Sequence, residues 1–490
     1  MPFLACSTRR KSLYIMDWLR SCAKSIPHHI ALITEEETYT FESLDRRVDS
    51  LCYWLTHTFG VTQGTSVGIH LPSSAEYVGI IHALNRLSAV AVPLNTRLSA
   101  SELTYQKQFC DIVVDESTQG LKAVFMGGLN DYAKLFKHQL DLNQPYLRLF
   151  TSGTTGQPKA AELTRSAVFY NAIASAFRIG HQSNDRWLCT LPLYHIGGLS
   201  ILIRSVISGT GVVLLRGFDT ASVNHALDVH QVTLASFVPT MLYRLTEART
   251  TPPSKLRLVL LGGAAATSDL VSKAKAAGFP IATTYGLTEA ASQVCTQLPE
   301  STHHKPASVG KPLPFVNVRV VNSQGDDCST SEIGEIIING PTLMLQYVNN
   351  PTATAQTLRD GWLYTGDLGY LDADGDLHLV QRRSDLIVSG GENIYPAEVE
   401  AALRLHPVVQ DAAVIGLPHP EWGQQPAAAV ILRPNITAPP PVNEIIQFLR
   451  QHLAGYKIPR IIRFVDALPL TASGKIERRQ VMFLFNDYTK

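Results

Sequence analysis

Apolar residues along this chain recur in two spacings that alternate over most of its length. Across residues 41–55 they return every three or four positions, which predicts an amphipathic helix. Residues 67–71 and 89–94 are short, nearly unbroken apolar bursts, the pattern of buried strands. Further bursts fall at 212–215 and at 256–261, and the second runs straight into Gly262-Gly263. A strand ending in glycine leaves room for a ligand to approach the backbone. Strands alternating with helices predict an α/β unit with largely parallel sheets. Beyond Arg383 the texture changes. Residues 397–405 and 443–453 read as helices, and 412–415, 427–432 and 461–465 as strands, so a smaller α+β unit is predicted with a boundary near residue 384. The stretch Ala438-Pro-Pro-Pro-Val442 is a stiff surface connector.

Composition narrows what such a chain can do. Its 490 residues are 45% hydrophobic, enough for more than one core. Lys plus Arg total 42 against 41 Asp plus Glu, so no excess charge advertises a nucleic-acid or membrane partner, and any anion must be held by local groups. The ligand is expected to be small, and a homo-oligomer remains compatible. Seven cysteines are scattered without a C-x-x-C pair, which fits reduced thiols in a cytoplasmic protein rather than a disulfide framework or zinc site. The best membrane candidate, residues 199–215, carries Arg204 and three serines, so no stable membrane insertion is expected. Residues 1–15 read as an extension upstream of Met16, leaving units of 16–383 and 384–490.

The strongest local signal is Thr151-Ser152-Gly153-Thr154-Thr155-Gly156, followed by Gln157-Pro158 and Lys159. Small residues let backbone N–H groups surround phosphate oxygens, hydroxyls add donors, and Lys159 offsets phosphate charge. The pattern suits a polyphosphate. It is not the loop of kinases and GTPases, where the lysine directly follows the last glycine and precedes Ser or Thr. A different ATP chemistry is implied.

Four more segments follow in order: Tyr285-Gly-Leu-Thr-Glu289, Tyr364-Thr-Gly-Asp367, the run from Arg382 to Glu400, and Ser473-Gly-Lys475. With the glycine-rich loop they resemble the adenylate-forming superfamily of acyl-CoA synthetases, adenylation domains and luciferases, over about residues 16–480. The resemblance implies a large N-terminal domain of β-sheets flanked by helices, a small mobile C-terminal domain, and an active site between them. It also implies ATP, Mg2+ and coenzyme A as reactants or cofactors. Glu289 resembles the residue that helps hold Mg2+, and Thr288 the phosphate-contacting hydroxyl. Tyr285 and Gly286 fall in the adenine-pocket motif, with Gly263 and Ala264 along the other side. Asp367 resembles the carboxylate on the ribose hydroxyls, and Arg382 its partner on the nucleotide. Lys475 resembles the lysine that reaches the α-phosphate during adenylation. Ser384 falls at the hinge, where many relatives carry Asp or Lys; a small polar residue suits changing dihedrals. Gly390 and Gly391 resemble the strand beside the pantetheine tunnel of the CoA site.

The identity of the acid rests on residues 191–209. His195 resembles the residue that lines the acyl pocket. Arg204 sits in an otherwise apolar run with a helical reading, and burying a guanidinium without an anion is costly. Either the side chain snorkels to solvent, or the substrate carries a second carboxylate for it to grip. Together with Leu260–Ala264 and Gly278-Phe-Pro280, the segment is similar to the branch of the family that acts on an aromatic dicarboxylate. The rival readings are a ligase for fatty or aryl acids, which needs no internal cation, and a non-catalytic nucleotide sensor. Retention of Glu289, Asp367, Arg382 and Lys475 argues against the sensor.

Overall fold

The computed structural model describes residues 13–127, 136, 139–151, 158–264, 266, 268–302, 305, 307–381, 386–434, 436, 438–469 and 476–488. The helix expected at 41–55 spans Phe41–Phe59. It begins on a capping box, in which Thr40 and Ser43 satisfy each other's backbone N–H, and it stops at Gly60 in the left-handed conformation. The apolar bursts are strands Ser66–His70, Val90–Pro93, Gly211–Leu214 and Leu258–Leu261.

Two sheets carry parallel cores. In the nine-stranded sheet six neighbours run parallel, in the order Ile30–Ile33, Gly211–Leu214, Arg186–Cys189, Leu234–Phe237, Leu258–Leu261 and Ile281–Leu287. The six-stranded sheet sets Ser66–His70 parallel to Val90–Pro93 and Ile112–Asp115. A third sheet, built on Asn317–Val321, Gly334–Asn339 and Trp362–Leu371, is antiparallel. Strand Leu377–Gln381 belongs to that third sheet, whereas Ile387–Ser389 pairs with Glu392–Ile394 and reaches Gly423 in the C-terminal sheet. The change of sheet therefore falls between 381 and 387.

The smaller unit differs from its sequence reading in extent. The strands expected at 412–415 and 427–432 are the centre of one long hairpin, Val409–His419 against Gly423–Leu432. Its outer rungs hold Gln424 and Gln425, which gave no apolar signal. The last expected helix ends early, as Val442–Leu449. Upstream, Tyr14–Met16 pairs antiparallel with Gln139–Asp141, so two residues ahead of Met16 take part in the fold. Among the described residues, no helix is long and apolar enough to cross a membrane.

One charged cluster lies inside the large unit. The Arg86 guanidinium is fully buried and donates to Asp17 Oδ2 at 2.8 Å, Asp45 Oδ1 at 2.6 Å and Asp49 Oδ1 at 2.7 Å. Arg20 meets Asp45 at 3.1 Å and also pairs with Asp49. Beside them burial pushes His82 down to about 4, so the imidazole is neutral. These contacts tie helices Trp18–Ser25, Phe41–Phe59 and Ala75–Arg86 together. Removing one cation strands several carboxylates away from water. Arg86→Met is expected to lower unfolding free energy by about 3–5 kcal/mol, read by chemical denaturation. A loss within experimental error would contradict this account of the cluster.

Candidate active site

The carboxyl ends of the parallel strands open onto a cavity of about 520 Å3. Strand Pro145–Thr151 turns back into Lys159–Thr164, with Thr151 paired to Lys159, so the glycine-rich loop is the connection of a hairpin. Thr151 lines the cavity. Ser152, Gly153, Thr154, Thr155 and Gly156 lie outside the described residues, as do Arg382, Ser384 and Lys475. Lys159 sets its ammonium 5.3 Å from the centre of the Tyr347 ring.

Tyr347 itself was not singled out by sequence. Its hydroxyl donates to Glu289 Oε1 at 2.7 Å, fixing a buried carboxylate beside Thr288 on the cavity wall. A hard carboxylate oxygen in this position fits the few-carboxylate habit of Mg2+, and Glu289 is the residue on this wall that could hold one. Asp367 and Thr365 line the same wall, and the Thr365 hydroxyl accepts from the Asp367 N–H at 3.0 Å. Tyr285 is only 1% exposed and stands behind the lining, where its hydroxyl donates to Asp367 Oδ2 at 2.7 Å. Its evident structural part is to orient that carboxylate. Gly263 lines the cavity with a φ of +80°; Ala264 follows it and is not part of the lining.

The Tyr285–Glu289 motif has a steric reason for its glycine. The chain reverses through Thr288–Ala290 into strand Ser292–Thr296, and Ala291 and Ser292 take φ of 57° and 117°. This unusual backbone brings the Ser292 carbonyl against Gly286, where an added Cβ would lie 2.0 Å from the oxygen. The turn also delivers the Ser292 hydroxyl to within 3.3 Å of Ser200 Oγ.

At that end of the cavity lies Arg204, on helix Ile196–Ser208. His195 and Gly209 cap this helix at its two ends, in keeping with the helical reading of the run. Arg204 is 3% exposed, so its side chain does not snorkel to solvent. It stacks over Trp187 at 4.9 Å and donates from one terminal nitrogen to Ser200 Oγ at 3.0 Å. Nε and the other terminal nitrogen have no hydrogen-bond partner among the described residues, and no carboxylate pairs with the group there. Burial pushes the guanidinium down to about 10, which still leaves it charged at neutral pH. Nearby, Gln293 offers a buried amide oxygen that also lacks a partner among the described residues.

His195 lines the cavity and ties the two units together. Its Nε2 lies 3.0 Å from Glu392 Oε2. Glu392 Oε1 accepts from Arg97 at 2.9 Å and from the Tyr194 hydroxyl at 3.2 Å. Burial favours the neutral acid, but His195, Arg97 and Tyr194 outweigh it and hold the carboxyl below the ordinary glutamate range. A depressed folded value stabilises the contact above that ordinary range, and the gain is lost as pH falls through the lower folded value. The contact therefore persists at neutral pH. Gly390 and Gly391 are the two-residue turn of the adjoining hairpin, with φ of +59° and +85°, the double left-handed form such turns require. The tip packs closely on Val238 and Trp422, and both glycines line the cavity.

The chain matches the AMP-binding enzyme family over residues 19–348 and the AMP-binding enzyme C-terminal domain over 398–475. It belongs to that family of adenylate-forming enzymes. The chain is 38% identical over 482 residues to a 2-succinylbenzoate–CoA ligase of Bacillus thuringiensis subsp. konkukian (strain 97-27), covering 96% of this chain and 98% of the relative. Among solved structures it resembles a double mutant of o-succinylbenzoate CoA synthetase from Bacillus subtilis bound with the product analogue OSB-NCoA, at a TM-score of 0.89 and 37% identity. Against the same enzyme in complex with the acyl-adenylate intermediate OSB-AMP the TM-score is 0.74, again at 37% identity. Both comparisons cover 96% of this chain and 98% of the other. At equal identity and coverage, the likeness is greater to the product-analogue complex than to the acyl-adenylate complex.

The contact at Gly286 gives a test of the site. Gly286→Ala is expected to slow acid-dependent exchange of pyrophosphate into ATP roughly 100-fold, because about an ångström of misplacement is costly. Cooperative thermal unfolding should be retained. Undiminished exchange would show that the close approach to Ser292 does not govern the site.

Proposed function

We propose that this chain is a 2-succinylbenzoate–CoA ligase of menaquinone biosynthesis, acting in the cytoplasm. The observation that carries the choice of acid is Arg204, a buried cation lining the cavity, two of whose nitrogens have no partner among the described residues. 2-Succinylbenzoate has two carboxylates. The succinyl carboxylate is activated, and the benzoate carboxylate is left for Arg204 and the Ser200 and Ser292 hydroxyls beside it. A guanidinium matches a carboxylate through two parallel hydrogen bonds. A fatty or simple aryl acid brings no anion to Arg204.

In the first half-reaction a succinyl carboxylate oxygen attacks the α-phosphorus of ATP, the bond to the β-phosphate bridge breaks, and pyrophosphate leaves with the electron pair. The protein's task is to hold two anions in line and offset the charge that grows between them. The 151–156 loop with Lys159 takes the phosphates, Thr288 adds a hydroxyl, and Asp367 with Arg382 takes the ribose. Glu289 would hold Mg2+, which would supply neutralisation of the phosphate oxygens. Lys475 reaches the α-phosphate from the small domain.

In the second half-reaction the CoA thiolate attacks the acyl carbon and AMP leaves. The small domain turns about Ser384, withdraws Lys475 and sets the Gly390-Gly391 turn against the cavity, where absent side chains leave room for a thin thiol arm. An arrangement in which the Gly390-Gly391 turn lines the cavity suits this second step. His195, held by Glu392, lines the same cavity as Arg204.

Two measurements test the assignment. Arg204→Ala is expected to raise the KM for 2-succinylbenzoate about 100-fold or more while leaving the KM for ATP within about twofold, since a paired buried charge contributes several kcal/mol. An unchanged acid requirement removes Arg204 from the pocket, and thioester formation only from monocarboxylates overturns the choice of acid. Lys475→Ala is expected to abolish adenylate formation yet spare thioester formation from preformed adenylate. Equal loss in both steps contradicts its role.

A further inference from the structure

Lys457 closes the short 3-10 helix Gly455–Lys457 of the small domain. Its ammonium donates to Glu398 Oε1 at 2.6 Å, on helix Pro396–Arg404 of its own domain, and to Glu102 Oε1 at 2.5 Å, on helix Ala100–Lys107 of the large domain. All three side chains are at most 9% exposed. Burial opposes the charge on Lys457, but Glu398 and Glu102 outweigh it and hold the ammonium above its ordinary value. We propose that Lys457 and Glu102 form a separable electrostatic lock that sets the small domain in its thioester-forming position, both acting as positioning residues. The proposal rests on the two-step reading above.

Each half of this contact keeps a partner when the domains part, which distinguishes it from the Arg86 cluster. Lys457 retains Glu398 within the small domain. Glu102 retains the N-terminus of its helix, where its second oxygen accepts the Ser99 N–H at 2.8 Å as part of a capping box. Neither charge is orphaned by the rotation, so the contact can be made and broken once per turnover. A desolvated ammonium between two carboxylates is also selective for one position, because misplacement leaves a charge unpaired in a dry interface.

The lock is coupled to the hairpin that shapes the CoA side of the cavity. Glu398 lies in the first turn of a helix that starts two residues after strand Glu392–Ile394. The Lys457 contact therefore lies close in the chain to the base of the Gly390-Gly391 turn. The surrounding surface is shaped for the same docking. Ser99 and Ser101 hydroxyls donate to the His452 carbonyl at 2.9 and 3.2 Å, and Arg97 lies over the Tyr456 ring at 4.8 Å.

The test is single-turnover kinetics on the full chain with each half-reaction measured separately. Glu102→Gln is nearly isosteric and keeps an acceptor for Ser99, so the helix cap survives. Thioester formation from preformed acyl-adenylate and CoA should slow about tenfold or more, with adenylate formation unchanged or faster. Glu398→Gln keeps the pair between domains and lowers the excess of negative charge, so its thioester step should be no slower than wild type. An unchanged thioester rate in E102Q, or equal slowing of both steps, overturns the lock. Loss of the thioester step in E398Q as severe as in E102Q overturns it too, assigning the effect to packing within the small domain. If wild type itself forms no thioester from the adenylate, the functional reading fails and the lock falls with it.

Discussion

A buried carboxylate belonging to one domain must find its partners on the other. Glu392 leaves water only because His195, Tyr194 and Arg97 of the large domain surround it. This obligation sets the geometry of the whole cleft, since it brings the Gly390-Gly391 turn to the wall and completes the cavity. Lys457 repeats the same physics a short distance away. Both contacts are charged, dry and shared between bodies. Such contacts specify one arrangement sharply without supplying the broad apolar adhesion that would make it permanent.

The chemistry is divided accordingly. The groups proposed to handle phosphate and ribose sit on the large unit: Thr151 at a strand end, Glu289 in a strained reversal, and Asp367 beside a bulge in the antiparallel sheet. The two carboxylates are each fixed by a neighbour that does not itself line the cavity, Tyr347 for Glu289 and Tyr285 for Asp367. Rigid support from the second layer of residues is what lets electrostatic stabilisation act without reorganisation. The small unit carries the parts that must change places.

Much of this was legible in the sequence, and the limits have physical causes. Apolar spacing located the helix at Phe41–Phe59 and the buried parallel strands, because both patterns are local. It missed the full length of the Val409–Leu432 hairpin, whose outer rungs are polar. Motifs brought Thr288, Glu289, Asp367, Gly390 and Gly391 to one cavity, and the sequence reading of Arg204 as a costly buried cation matches its 3% exposure. Glu392 stood inside a quoted motif, yet nothing local announces that Arg97, 295 positions earlier, is its partner. Tyr347, Trp187 and Lys457 are ordinary residues in ordinary surroundings until the chain folds. Pairings across hundreds of positions leave no trace in spacing.

The unsatisfied guanidinium of Arg204 also bears on what the cell's other acids can do to this enzyme. A pocket that relied on shape would exclude a long or bulky acid by collision but would admit any slender one. If Arg204 takes the second carboxylate as proposed, the preference is a difference of affinities: a dicarboxylate gains a charge-assisted pairing there that a monocarboxylate of the same shape forgoes, and the choice is made at binding, before ATP is spent.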